Sequence, residues 1–210
     1  MKKMNYRTRF FLYFFFSAIL FFSCRERKLT KEKLISFISH SKELDQSSEI
    51  KGIKTELRLI PYQMMVLQEL DGGKRNDSSF IHELEKRYSS QYYFRLAFSE
   101  GNQEVIRQLG SFQSYSDMVQ VLSFEMSKYI FASNEKSDTM PLVDYIFERD
   151  YGMSSSNNLL LVFKKADFIK SEEININIGE FGLGVGSQKF VFRHNDIDDG
   201  PSLAGYEPAE

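Results

Sequence analysis

The chain has one cysteine and no tryptophan in its 210 residues. A single thiol cannot close an internal disulfide, and it cannot build a thiolate metal centre. A domain so composed must be held by its core alone. The absence of tryptophan removes the largest of the aromatic platforms used in sugar recognition, which leaves that role to tyrosine. Strong positive charge is missing as well. The formal net charge is −2, without the basic footprint that general nucleic-acid binding needs.

What the chain does have is a distinctive start. Lys2, Lys3, Arg7 and Arg9 precede an apolar run from Phe10 to Phe22, 13 residues broken only by Tyr13 and Ser17. A membrane-spanning helix needs about 20 apolar residues, whereas a run of this length suits the apolar region of a signal peptide. The basic residues ahead of it favour the cytoplasmic side. The run closes with Leu20-Phe21-Phe22-Ser23-Cys24, followed at once by Arg25-Glu26-Arg27-Lys28.

This segment resembles the lipobox of bacterial lipoprotein precursors. Ser23 takes the small position before the cysteine, Phe22 is bulkier than usual, and Leu20 stands one place early. The resemblance implies cleavage before Cys24, a diacylglyceryl group on its sulfur and further acylation of the palmitate kind. Each buried CH₂ contributes about 0.8 kcal/mol, so one chain binds marginally and two or more hold firmly. Plain secretion and an uncleaved anchor are the alternatives. In some Gram-negative bacteria an Asp after the lipid cysteine retains the protein in the inner membrane. Arg25 stands there, which by resemblance implies the outer membrane. The lack of an acidic run in this segment suggests its periplasmic face.

Residues 1–23 are then a signal peptide, 24–30 a lipidated tether, 31–195 a single α+β domain, and 196–210 a loose acidic tail. Loss of the four basic groups in residues 1–23 takes the formal charge from −2 to −6. The 187 remaining residues are enough for one domain with a real core.

Within the domain, Leu34, Ile35 and Ile38 predict a helix over Lys31–Lys42. Ser47–Gly52 reads as a loop. Ile53, Thr55, Leu57 and Leu59 alternate with charged residues, the period of a strand. Pro61 opens a short helix through Leu70, and Asp77 or Ser78 caps another over Ser79–Tyr88. Tyr92, Phe94, Leu96 and Phe98 mark one face of the clearest strand. The spacing from Tyr115 to Ile130 predicts the longest helix, Ser114–Phe131, with Ser114 and Asp117 as a capping pair. The last third reads as strands: Leu142–Arg149, the continuous apolar run Leu159–Phe163, Ile174–Ile178, and Phe190–Phe192. Segregated helices and strands predict α+β, with a mainly antiparallel sheet of five or six strands and helices packed on one face.

Chemistry motifs are few. Gly182-Leu183-Gly184-Val185-Gly186 lacks both the spacing and the following helix of a dinucleotide fingerprint, and reads as a hairpin connection in which glycine supplies positive φ. Asp196–Gly200 resembles a calcium loop only in composition and reads as acidic tail. His40, His82 and His194 have no helical i, i+4 partner, and there is no G-x-S-x-G elbow. Arg95 and Arg149-Asp150 beside Tyr151 could line a cleft, but read first as cross-strand and turn partners.

The sequence therefore assigns one site residue, Cys24, for lipid attachment. It assigns no catalytic or metal-binding residue and no cofactor. The expectation is a lipid-anchored cell-envelope protein that binds an envelope protein partner or assists assembly. It would have no nucleic-acid partner and no disulfide partner. The alternative is an envelope hydrolase using carboxylates or a Ser/His pair.

Overall fold

A computed structural model describes residues 35, 36, 40–72, 77–168, 170–194 and 197. Cys24, the whole signal segment and most of the helix expected over Lys31–Lys42 lie outside the described residues. So does the acidic tail, apart from Ile197, which packs on the core.

The domain is α+β, with a mainly antiparallel sheet at its centre. β1 (Asp45–Ile50) and β2 (Ile53–Ile60) form a hairpin. Lys51 and Gly52 turn it with φ of 53° and 84°, the paired positive values of the tight turn that suits twisted strands. A helical hairpin follows, α1 (Tyr62–Gly72) and α2 (Ser78–Tyr88). The Asp77 side chain accepts the Phe80 N–H at 3.0 Å and caps α2. These helices bury Val66, Leu67, Leu70 and Leu84 in a small core of their own. β3 (Gln91–Glu100) then pairs with β2 along its whole length and, through a turn, with the two-residue β4 (Gln103–Glu104).

After a 3-10 turn at Val105–Gln108, α3 (Phe112–Phe124) carries the chain to a second sheet. There β5 (Ile130–Ser133) pairs with β6 (Thr139–Pro141). The chain continues through Leu142 and Val143 into β7 (Asp144–Glu148), which belongs to the first sheet. β8 (Asn157–Lys164) sits between β7 and β3, and is buried on both faces as its apolar run predicts. β9 (Glu173–Ile178) and β10 (Gln188–Arg193) complete the second sheet. The six-stranded sheet has the order β1-β2-β3-β8-β7, with β4 beside β3, and the four-stranded sheet has β10-β9-β5-β6.

The two sheets share one core. Leu57, Leu96, Leu159 and Phe147 lie in register across the first sheet, as do Leu59, Phe94, Leu161 and Tyr145. Ile174, Ile176, Ile178, Phe190 and Phe192 face them from the second. Phe94 and Phe192 meet at 5.1 Å between ring centroids. Fully burying each such side chain contributes about 2 kcal/mol, and this core takes the place of disulfides. The second sheet was not foreseen: the late strands divide between two sheets instead of extending one.

Two local expectations fail. Ser47–Ile50 is strand, not loop. β1 is an edge strand, and an edge needs backbone pairing more than apolar side chains. The longest helix ends at Phe124, and its N-cap is Ser111, whose Oγ accepts the Ser114 N–H at 3.0 Å. Met126 lies in a 3-10 turn and Ile130 opens β5. Both are still buried, so the inward apolar rhythm continued although the helix had stopped. Among the described residues, no helix is long and apolar enough to cross a membrane.

Candidate functional site

One end of the molecule gathers the start of α3, the 3-10 turn after β4, and the connection from β7 to β8. Between them lies a cleft of about 140 Å³ lined by Glu104, Tyr115, Val119, Arg149, Asp150 and Tyr151, with Ile106, Phe147 and Asn157 deeper in. Sequence reasoning placed Arg149, Asp150 and Tyr151 together as turn partners or cleft residues. The structure makes them both. Arg95 is elsewhere, exposed on the outer face of β3 opposite Arg58.

The cleft walls are held by a polar network. Glu104 is 5 % exposed and pairs with Arg107 at 3.2 Å. Arg107 in turn lies on the Tyr151-Gly152 turn so closely that a Cβ on Gly152 would fall 2.2 Å from its Nη1. Asn157, buried at the start of β8, accepts the Ile106 N–H at 3.1 Å. Its neighbour Asn158 donates to Asp150 at 3.3 Å and to Ser154 at 3.2 Å, and accepts from Ser156 at 2.9 Å. Arg149 donates to Ser123 on α3 at 2.8 Å. Glu104, Arg149, Asp150 and Asn157 are therefore each engaged with another part of the chain. The network ties the β7–β8 connection to α3, to the 3-10 turn and to β8.

The same segments also carry large exposed side chains. Phe112 is 83 % exposed, Tyr151 71 % and Met153 88 %. Phe112 stacks on Tyr115 with ring centroids 6.5 Å apart, and Tyr115 and Tyr151 share the cleft. Of the three, Tyr151 lines the cleft itself, Phe112 reaches it through Tyr115, and Met153 follows two residues after Tyr151 in the same connection. Sequence reasoning missed Phe112, Met153, Glu104 and Arg107. Phe112 was visible as an apolar residue just before the predicted helix, three places ahead of Tyr115 and so an extension of its apolar stripe.

The histidines do not converge. His40 is exposed with its Nδ1 2.7 Å from the Ser36 carbonyl. His82 lies on α2, 3.9 Å from Glu85. His194 follows β10, its ring edge-on to Tyr92. Among the described residues, no group of three His, Cys, Asp or Glu side chains is placed to hold a metal ion. The Asp196–Gly200 segment lies outside the described residues except for Ile197.

The glycine cluster connects β9 to β10 with φ of 103°, 82° and 64° at Gly182, Gly184 and Gly186. This is the hairpin connection that its sequence predicts. Its N–H groups enclose the carboxylate of Glu180, a residue that sequence reasoning did not single out. Burial alone would raise the Glu180 carboxyl, but the backbone N–H groups of Gly184, Gly186, Gly182 and Leu183 outweigh it and hold the group below its ordinary value.

No protein-family model matches the chain, and no curated protein matches it. Among solved structures, the chain is similar to a DUF4426 family protein from Pseudomonas aeruginosa PAO1. The identity is 12 % over 71 % of this chain and 92 % of that one, with a TM-score of 0.34. It is also similar to a protein of unknown function from Burkholderia pseudomallei K96243. Here the identity is 13 % over 86 % of this chain and 100 % of that one, with a TM-score of 0.39.

Proposed function

We propose that this chain is a lipid-anchored cell-envelope protein that docks a protein partner, as a binding or assembly accessory, through the face formed by Phe112, Tyr151 and Met153. The anchor is Cys24, in the outer membrane and on its periplasmic side. The observation that carries the docking role is the exposure of these three large side chains on a loop and helix start fixed by hydrogen bonds. A surface already ordered before contact loses less conformational entropy when a partner binds. Aromatic and methionine side chains are also those enriched at protein interfaces. The hydrolase alternative has less support, because Glu104 is committed to Arg107 and Asp150 to Asn158.

Photo-crosslinking in intact cells tests the docking role. A crosslinking residue at position 112, 151 or 153 should trap the same discrete protein, and one at Lys86 on α2 should not. Adducts of equal yield from all four positions, or from none, would overturn the reading. The anchor is tested separately by Cys24→Ala, which should abolish lipid labelling and release the chain from membranes.

A further inference from the structure

The β9–β10 connection is a short loop with an unusual arrangement. Glu180 Oε1 accepts the N–H groups of Gly182 at 2.7 Å and Gly184 at 3.0 Å, while Oε2 accepts that of Gly186 at 2.5 Å. Glycine stands at every second position with positive φ, and the residues between, Leu183 and Val185, are not in that region. Alternation of this sign turns successive N–H groups toward one concave side, the geometry of a backbone anion nest. The side chains between go the other way. Phe181, Leu183 and Val185 are buried in the shared core, with Phe181 against Phe98 at 5.3 Å and Tyr129 at 6.1 Å. One loop thus presents N–H groups to an anion on one side and an apolar plug to the core on the other.

We propose that Gly182–Gly186 is an anion-binding nest for a single oxyanion, with Glu180 of the same chain as its resident ligand, and that its occupancy holds the Phe181-Leu183-Val185 plug in place. On this exposed side of the loop the N–H groups would otherwise be met by water. A carboxylate of the same chain meets them without the entropy of capturing a free ion. Removing that carboxylate leaves a cradle sized for two oxygens, with N–H donors that do not distinguish a carboxylate from a phosphate. The proposal is independent of the docking role.

Anion rescue of Glu180→Ala in the full-length protein in detergent provides the test. The variant should unfold several degrees below the wild type. Sodium formate or sodium phosphate should restore part of that loss with saturable dose dependence, beyond what either salt does to the wild type. Sodium chloride at matched ionic strength should not. Recovery with formate alone defines a carboxylate nest, and recovery with both defines a general oxyanion nest. An unchanged unfolding temperature, or salt responses identical to those of the wild type, would overturn the proposal. Should Glu180→Ala fail to fold, Glu180→Gln serves. Amide exchange at Gly182, Gly184 and Gly186 should then rise at least tenfold over the wild type, with Phe94 in the core unchanged. Equal protection at the three glycines in the two proteins would sink the idea.

Discussion

The side-chain amide of Gln46 on β1 pairs with the backbone of Val191 on β10, much as another strand would. Its Oε1 accepts the Val191 N–H at 3.1 Å, and its Nε2 donates to the Val191 carbonyl. β1 is the edge of the six-stranded sheet and β10 the edge of the four-stranded one. Open edges invite pairing with other chains. Here the two edges meet, and one glutamine occupies donor and acceptor together. At the other margin the chain itself crosses from β6 to β7, the edge strands of the two sheets there.

Gln46→Ala should therefore loosen the edge of β10 without removing core. The lost pair is partly open to water, so a cost of about 1 kcal/mol is expected. Urea unfolding should show a lower midpoint with an unchanged slope. Amide exchange at Val191 should rise more than at Val162, which lies within the six-stranded sheet. If Val191 stays fully protected, the glutamine does not close that edge.

Much of this architecture was legible because burial imposes a period. Leu57, Phe94, Leu161 and Ile176 each stand in alternating or continuous apolar runs, and each lies in the core. What was not legible lies where burial imposes nothing. Asp45–Ile50 is polar because an edge strand draws its stability from pairing. The division of late strands between two sheets depends on the crossing at Leu142 and Val143, and periodicity does not encode which partner a strand takes. The candidate site was half visible. Arg149, Asp150 and Tyr151 adjoin in sequence, whereas Glu104 joins them only through the folding of β3 and β8. Glu180 was hidden for another reason: the G-x-G-x-G spacing signals the backbone conformation and not the acid that fills it.

Two glycines separate backbone strain from steric crowding. A Cβ added at Gly184 or at Gly110 meets nothing within 4 Å, but only Gly184 has positive φ, at 82°. Gly184→Ala should cost about 1–2 kcal/mol from the left-handed conformation alone. Gly110→Ala should be close to neutral, since alanine there also restricts the unfolded chain. Equal losses in chemical denaturation would mean that the strain at Gly184 is not what the loop depends on.

Glu180 makes stability depend on acid in a defined direction. Its folded carboxyl lies below the ordinary value of 4.5, so the unfolded chain takes up the proton more readily. The stabilisation is then complete above the ordinary carboxylate value and is lost as pH falls through the lowered folded one. Glu180→Gln removes this dependence. Urea midpoints of wild type and variant should differ fully above the ordinary carboxylate value and converge as the pH falls through the lowered folded one. A difference that stays constant over that range would show that the charge on Glu180 contributes nothing.

Asn158 links the stability of the loop to its proposed role. It is 8 % exposed and ties Asp150, Ser154 and Ser156 into one turn. Asn158→Ala leaves these partners short of hydrogen bonds, at a cost of about 1–3 kcal/mol. Its effect should concentrate at residues 149–156, where limited proteolysis should cut the variant and spare the wild type. Tyr151→Ala removes the exposed ring without touching that network, so its stability should change by less than about 0.5 kcal/mol. The two variants therefore separate order from contact. If the loop is a docking surface, crosslinking from position 112 should weaken in both, although only Asn158→Ala is destabilised. Loss in Asn158→Ala alone would mean that the ring itself makes no contact, and that the loop supports a partner seated on α3.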